Sequence, residues 1–393
     1  MRGFEMSDSA RKVLPRARRI VVKIGTKLLC EKKGRLNLKR MENIVNDLAH
    51  LWKEKREVVL VTSGAIGAGV GRLGLKKVPQ TLPEKQAAAA VGQGILMHLY
   101  ESFFAPQGII VAQVLLTRDD INLRERYLNA RHTFQTLLRY RVIPIVNEND
   151  TVAVDEIRFG DNDTLAALVA CLVGADLLVL LTDLEGFYTA DPRKDGTGEL
   201  ISKITEITPE IEALAGGRGS ALATGGMETK LQAAKIAMGA GIPLVIGNGM
   251  QAAILRRVVA GEEVGTFFVP QEDRMQARKR WIAYGSLVRG RVYVDRGAAN
   301  ALIKRGKSLL PSGVIGVEGC FEAGSVVSVI DPAGKELARG ISNYSSEAVN
   351  LIKGMNTGEI RTILGDKDYD EVIHRDNLTV IPGREVAPEI LEK

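Results

Sequence analysis

Runs of apolar, β-branched residues alternate with amphipathic stretches over the first two-thirds of the chain. The apolar runs predict six strands, at 19–24, 58–62, 109–116, 142–146, 177–182 and 243–246. The stretches between them predict helices at 38–55, 85–104, 123–140, 164–173 and 228–240. This alternation is typical of an α/β fold, a mostly parallel sheet sandwiched between helices, in which ligands bind beyond the carboxyl ends of the strands.

The pattern changes after Gly265. The segment 266–280 contains Pro270 and a run of charged residues, which predicts a linker. Short apolar runs separated by glycine-rich turns then predict a small β-barrel with a helix near 298–304. The predicted organisation is therefore a solvated tail at 1–17, an α/β domain at 18–265, a linker at 266–280, a barrel at 281–378 and a tail at 379–393.

Composition and charge restrict the class of protein. The 393 residues are 45% hydrophobic and 25% charged, which is typical of a soluble globular chain and excludes a disordered or collagen-like one. A net charge of +6 is too small on this length to indicate a nucleic-acid binder. Three widely separated cysteines without a CxxC motif indicate reduced thiols in the cytoplasm. No secretory signal or membrane span is predicted, since the longest apolar run contains Asp176.

Lys23 lies inside the first predicted strand, and Gly25 follows it. A buried lysine is costly unless it is paired, so the strand either lies at an exposed edge or holds a cation beside a ligand site. Gly25 would let a phosphate approach the backbone there. The two common phosphate motifs do not explain this lysine: the P-loop pattern is absent, and the GxGxxG at 69–74 lacks the acidic residue that a dinucleotide site requires.

Further polar and glycine-rich segments follow the later strands. Ser63 begins a run of small residues that suits a carboxylate or phosphate but also suits an ordinary helix cap. Two acid and amide clusters, at 147–150 and 160–163, are rich enough to hold an ammonium group, to orient lysines or to bind Mg²⁺-bound water, although Asp163 has the alternative of capping a helix. The turn 224–230 offers phosphates several amide groups, a helix N-terminus and Lys230.

Together these motifs resemble the glutamate 5-kinases of the amino-acid kinase superfamily. The resemblance rests on six segments in order: 23–26, 62–66, 147–150, 160–163, 182–193 and 224–230. The terminal barrel resembles a PUA domain, and the match covers about residues 18–377. One departure is Lys27, which stands where many members of the family have serine; the tail before Arg18 is also longer than usual.

The resemblance implies ATP-dependent phosphorylation of the side-chain carboxylate of L-glutamate, the first step of proline biosynthesis. It implies nucleotide contacts from Lys23, Thr182, Asp183 and the turn of Thr224, Gly225, Gly226, Met227, Glu228, Thr229 and Lys230. It implies glutamate contacts from Ser63, Asp150 and Asn162. Because an ionised carboxylate needs no general base, we expect Lys23 and Lys230 to form a catalytic cationic clamp that Asp161 holds in place, with Mg²⁺ held mainly through the ATP phosphates and no protein metal site.

The resemblance also implies feedback inhibition by proline, a dimer or tetramer, a cytoplasmic enzyme and hand-over of the acyl phosphate to glutamyl phosphate reductase. Two alternatives stay open. One is another member of the same superfamily, acting on aspartate, acetylglutamate, carbamate or a nucleoside monophosphate. The other is an RNA-binding protein, because basic residues cluster around the barrel.

Overall fold

The computed structural model of the chain contains two compact units, Met1–Arg274 and Met275–Lys393. The structure describes residues 10–31, 35–75, 77, 79–152, 161–190, 198–216, 225–270, 279, 281–356, 363 and 369–381.

An eight-stranded sheet forms the centre of the first unit. Across the sheet the strands follow the order β3-β4-β2-β1-β5-β7-β8-β6. Among these described strands only β7 and β8 pair antiparallel, so the predicted mostly parallel sheet is confirmed. The strands are β1 (Arg19–Ile24), β2 (Glu57–Val61), β3 (Val111–Leu116), β4 (Ile143–Glu148), β5 (Leu177–Thr182), β6 (Lys203–Ile204), β7 (Leu244–Asn248) and β8 (Thr266–Phe268).

Strand β1 lies between β2 and β5 and is parallel to both. Every residue of β1 after Arg19 is buried, which excludes the exposed-edge explanation of Lys23. The chain leaves β1 toward β2 on one side and later returns to β5 on the other. In open α/β sheets such a change of direction opens a crevice beyond the carboxyl ends of the strands, and this is where ligands bind.

Helices pack against the strands of this sheet. Ile20 and Val22 of β1 share a core cluster with Leu48, Leu96 and Val258 of three helices. Because side chains alternate along a strand, Lys23 is directed to the opposite face, where the helix Asn162–Val173 packs. The helices are α1 (Thr26–Leu29), α2 (Leu38–Lys53), α3 (Ala65–Leu73), α4 (Leu82–Phe104), α5 (Arg118–Asn122), α6 (Arg124–Arg139), α7 (Asn162–Val173), α8 (Pro209–Leu214), α9 (Gly225–Gly239) and α10 (Ile254–Ala260).

The segment predicted as a linker begins instead with strand β8, which pairs with both β7 and β6. Phe267 and Phe268 are completely buried there. Three residues are too few to show a strand period, and the following Pro270 suggested a linker. The sheet of the first unit therefore extends past Gly265.

The predicted N-terminal tail is also partly folded. Residues Arg11–Arg16 form a 3-10 helix with Leu14 fully buried. The guanidinium of Arg11 donates hydrogen bonds to the backbone oxygens of Ser202, Glu262, Val264 and Gly265, at 2.9–3.1 Å. The expectation of a solvated tail is wrong for these residues, because the carbonyl groups that bind Arg11 lie about 190 to 250 positions away in the sequence.

A five-stranded sheet with the order β10-β9-β11-β12-β13 forms the second unit. Strands β9 and β11 are parallel and the other pairs antiparallel. Its last strand continues to Val380, beyond the predicted end of the barrel at 378. The elements are β9 (Gly290–Val294), α11 (Arg296–Arg305), β10 (Val314–Glu318), β11 (Val326–Ile330), β12 (Glu336–Ile341), α12 (Ser346–Ile352) and β13 (Leu378–Val380).

Candidate active site

The carboxyl ends of β1, β2, β4 and β5 surround one cavity of about 1120 Å³. The loops that follow these strands supply its walls, together with the start of α9. Most of the residues singled out in the sequence line this cavity: Lys23, Ser63, Asp150, Asp161, Asn162, Thr182, Asp183, Gly226, Met227 and Lys230. The strand ends thus bring residues more than 200 positions apart into one site.

Two lysines meet on one buried carboxylate in this cavity. The Nζ of Lys23 lies 2.6 Å from Oδ1 of Asp163, and the Nζ of Lys230 lies 2.8 Å from Oδ2. The side chain of Asp163 has no exposed surface. Burial alone would raise its pKa, but the charges and hydrogen bonds of Lys23 and Lys230 outweigh burial and lower the pKa of Asp163. The carboxylate is therefore ionised at neutral pH.

Asp161 was expected to hold the lysines, but Asp163 is the carboxylate that contacts both. Asp161 is 3.5 Å from the Nζ of Lys23 and is the N-cap of α7, where its side chain accepts a hydrogen bond from the backbone N–H of Asp163. The capping role that the sequence left open for Asp163 thus belongs to Asp161. Asp161 and Asp163 are two residues apart at the start of one helix, so the sequence alone does not show which of them caps the helix and which pairs with the lysines.

The start of α9 holds Lys230 in place. The Nζ of Lys230 also donates a hydrogen bond to the backbone oxygen of Gly226, at 2.9 Å. The neighbouring hydroxyl of Thr229 lies 3.1 Å from Asp163 and 3.2 Å from Asp161. Thr229 therefore contacts the carboxylates and does not line the cavity. Glu228 is exposed outside the cavity, and Thr224 lies outside the described residues.

A cluster of amides and hydroxyls lies beside the lysines. The Nδ2 of Asn162 donates to the backbone oxygen of Thr62 at 2.6 Å, to Oγ of Ser63 at 3.1 Å and to Oδ1 of Asn147 at 2.9 Å. Asn147, which the sequence did not single out individually, is 2% exposed and lines the cavity. Its position at the carboxyl end of β4 was the signal available for it.

Helices α3 and α4 support this cluster from behind. The hydroxyl of Tyr100 on α4 lies 2.8 Å from that of Thr62, and burial raises the pKa of Tyr100, so that it is a neutral hydrogen-bonding group. Gly64 has a φ of 96°, in the region that favours glycine, and directs the chain into α3. A Cβ at Gly92 would lie 1.8 Å from the backbone oxygen of Ala65, so the two helices touch through their backbones.

Thr182 and Asp183 lie on the other side of the lysine pair, at the end of β5. The Thr182 hydroxyl donates to Oδ1 of Asp183 at 3.1 Å. Lys27 also lines the cavity; its side chain is 72% exposed, and its Nζ is 3.9 Å from Oδ2 of Asp183. Lys27 is therefore a further cation at the site, held far more loosely than Lys23 and Lys230.

No membrane-spanning helix and no metal cluster are found in the part of the chain that the structure describes. None of its helices is long and apolar enough to cross a bilayer. Among the same residues, no three His, Cys, Asp or Glu side chains lie close enough to form a metal site.

Comparison with known proteins supports the two-unit organisation. Residues 18–248 match the model of the amino acid kinase family, and residues 290–364 match the PUA domain. The chain is 61% identical over 371 residues to the glutamate 5-kinase of Moorella thermoacetica, covering 94% of this chain and 98% of that protein. It is 55% identical to the glutamate 5-kinase of Carboxydothermus hydrogenoformans, over 94% of this chain and 100% of that one. A third glutamate 5-kinase, from Geobacter sulfurreducens, is 50% identical over 94% of this chain and 99% of that one. The chain is an enzyme of the amino acid kinase family, belongs within it to the glutamate 5-kinases, and carries a PUA domain.

Proposed function

We propose that the enzyme transfers the γ-phosphoryl group of ATP to the side-chain carboxylate of L-glutamate, forming L-glutamyl 5-phosphate for proline biosynthesis. The observation that carries the proposal is the Lys23–Asp163–Lys230 cluster beside a buried amide cluster in one cavity. The cations suit a triphosphate, and the amides suit an amino acid. Relatives named glutamate 5-kinase, 61% and 55% identical over 94% of the chain, supply the substrate class.

The lysines act by aligning two anions and by neutralising charge on the transferred group. The attacking carboxylate has a reference pKa of about 4.3, so it is ionised at neutral pH and needs no base. Repulsion between it and the phosphates is then the main barrier that the protein can lower. Asp163 holds both ammonium groups in place before substrates bind, so little reorganisation is needed during transfer.

Glutamate is assigned to the amide side of the cavity. Asp150 and the oxygen of Asn162 are suited to receive its ammonium group, and Ser63 with nearby N–H groups is suited to hold a carboxylate. Thr182, Asp183 and the start of α9, with Gly225 and Gly226 at its N-terminus, are assigned to ATP.

Mg²⁺ would enter with the nucleotide and would neutralise phosphate charge. Asp163 is completely buried between two lysines, whereas Asp161 and Asp183 are partly exposed in the cavity and are suited to hold metal-bound water.

Trapping the product with hydroxylamine tests the proposal. Purified protein is incubated with Mg-ATP, hydroxylamine and one acid at a time, and the hydroxamate is measured. Signal with L-glutamate, and none with aspartate or acetylglutamate, is expected. Hydroxamate from another acid would move the enzyme to a different substrate of the superfamily. Absence of hydroxamate from every acid would contradict the proposal.

Several finer inferences accompany this function. We infer inhibition by proline at or near the glutamate site, a homo-oligomer, a cytoplasmic location and hand-over of the labile product to a reductase. Adding proline to the trapping assay tests the first of these. RNA binding by the second unit is the lesser alternative, because Arg291, one of the basic residues of this unit, is paired with Glu318 at 3.0 Å. Retention of labelled RNA that falls steeply with salt would support it.

A further inference from the structure

A buried glutamine lies behind the amide cluster and outside the cavity. Gln93 is on α4, is 8% exposed and does not line the cavity. Its Oε1 accepts a hydrogen bond of 2.9 Å from Nδ2 of Asn147. Its Nε2 is buried and, among the described residues, has no hydrogen-bond partner. A buried donor without a partner is unfavourable, so burying the amide of Gln93 carries a cost in stability that its hydrogen bond to Asn147 only partly offsets.

Two backbone groups identify which atom of each amide in this cluster is the oxygen and which is the nitrogen. The N–H of Glu148 can only donate, and it contacts Oδ1 of Asn147 at 3.0 Å. The carbonyl of Thr62 can only accept, and it contacts Nδ2 of Asn162. Asn147 therefore presents its oxygen to Asn162 and its nitrogen to Gln93, which must answer with Oε1.

This arrangement leaves one acceptor of Asn162 for the substrate. All of its hydrogen bonds within the described residues are made by Nδ2, to Thr62, Ser63 and Asn147. Its Oδ1 is thus available to an ammonium group, which has only donors. If Asn147 rotated its amide by half a turn, two NH₂ groups would face each other and this orientation of Asn162 would be lost.

We propose that Gln93 is a positioning residue for glutamate binding: through Asn147 it holds the amide of Asn162 with its oxygen available to the substrate ammonium group. The inference rests on the proposed function, since it names what the amide cluster receives. It concerns glutamate alone, because the chain of contacts from Gln93 reaches Ser63 and Asn162 and does not reach the lysines.

Two substitutions at Gln93 test the proposal. Gln93→Met keeps the shape and removes the acceptor, and we expect it to raise the KM for glutamate about 10-fold, the effect of one lost hydrogen bond of about 1.4 kcal/mol. The KM for ATP and kcat should stay within about threefold of wild type. Gln93→Glu retains an oxygen acceptor and should recover most of the glutamate affinity. A glutamate KM within twofold of wild type for Gln93→Met overturns the proposal.

A control and a double-mutant cycle separate positioning from loss of stability. Leu96→Ala removes core volume from the same helix without touching the amides, so it should lower the Tm and leave the glutamate KM unchanged. Combining Gln93→Met with Asn147→Ala should add less than twofold to the effect of Asn147→Ala alone. An equal rise in KM from Leu96→Ala, or additive effects in the cycle, also overturns the proposal.

The proposed function and this inference can fail separately. Hydroxamate formation by the wild-type enzyme tests the function. Calorimetric binding of glutamate to wild type and Gln93→Met, without ATP, tests Gln93 without turnover. An unchanged Kd contradicts the inference even if the trapping assay succeeds.

Discussion

Asp163 is the residue of the site on which the positions of both buried lysines depend. It is a fully buried carboxylate with a lysine on each oxygen, so removing its charge would leave two buried ammonium groups without their partner. Removing one member of a buried ion cluster usually costs about 3–5 kcal/mol. The lysines, in turn, supply the positive charge that phosphoryl transfer requires.

Loss of either buried lysine should therefore mainly affect turnover. We expect Lys23→Ala and Lys230→Ala to lower kcat at least about 100-fold, equivalent to about 3 kcal/mol in the barrier. Lys27→Ala is the matched control: this lysine is exposed and loosely paired, so its loss should raise the KM for ATP a few-fold at most. Steady-state kinetics measure all three, and turnover near wild type in both buried-lysine variants would contradict the clamp.

The pH dependence of stability should report the Asp163 carboxylate. Its pKa in the folded protein is lowered, so its contribution is present above the unfolded pKa of about 3.9 and is lost as pH falls through the folded value. Asp163→Asn should lower the free energy of unfolding by about 3 kcal/mol at pH 7 and remove this acid-dependent part. Asp161→Asn keeps an oxygen for the cap and loses only a partly exposed ion pair, so it should cost less than about 1 kcal/mol. Urea unfolding from pH 7 down to about pH 2 measures both, and equal losses would be inconsistent with the distinct roles.

At the scale of elements, the contact between α3 and α4 places the amide cluster. The helices approach so closely at Gly69 and Gly92 that their backbones touch. This brings Gln93 and Tyr100 of α4 against Asn147 and Thr62 at two strand ends. The glutamate side of the cavity thus depends on a helix that contributes no residue to its lining.

Two glycines of α4 offer a matched test of that contact. Gly92→Ala would place a Cβ 1.8 Å from the oxygen of Ala65, so the helices must separate, whereas the position of a Cβ at Gly94 is open. We expect Gly92→Ala to destabilise the protein by at least about 2 kcal/mol and to raise the glutamate KM. Gly94→Ala should stabilise it by about 0.5–1 kcal/mol. Thermal unfolding and glutamate kinetics compare them; similar behaviour of the two variants would refute the close contact.

At the scale of the whole molecule, the boundary of the first unit determines which shortened chain can fold. Strand β8 pairs with β7 and β6 and buries Phe267 and Phe268 completely. Arg11 binds carbonyl groups next to this strand. Segments from both ends of the first unit, around Arg11 and in β8, therefore meet near this edge of the sheet.

A pair of truncations tests this boundary. A chain ending at Arg274 should fold and retain kcat within a few-fold of the full-length enzyme. A chain ending at Gly265 loses two buried phenylalanines, each contributing about 3–5 kcal/mol, and should not fold. Circular dichroism and the hydroxamate assay compare the two. Equal activity would show that β8 is dispensable, and loss of activity in both would assign the second unit a role in catalysis.

The sequence by itself determined the α/β class, the central strands and the family. These features are local: strands 19–24 and 177–182 were predicted with the bounds that the structure has, because runs of apolar residues specify buried strands regardless of the rest of the chain. The position of most candidate residues followed as well, since the ends of parallel strands must meet at one edge of the sheet.

Only the tertiary structure decided which role each of those residues has. Asp163, not Asp161, joins the lysines, because the rotation of α7 and its distance from β1 determine which carboxylate is buried. For the same reason, no sequence pattern indicated the role of Gln93, the presence of strand β8 or the hydrogen bonds of Arg11. Their partners are distant in the chain, and a hydrogen bond or a buried contact between such residues depends on packing that no local pattern encodes.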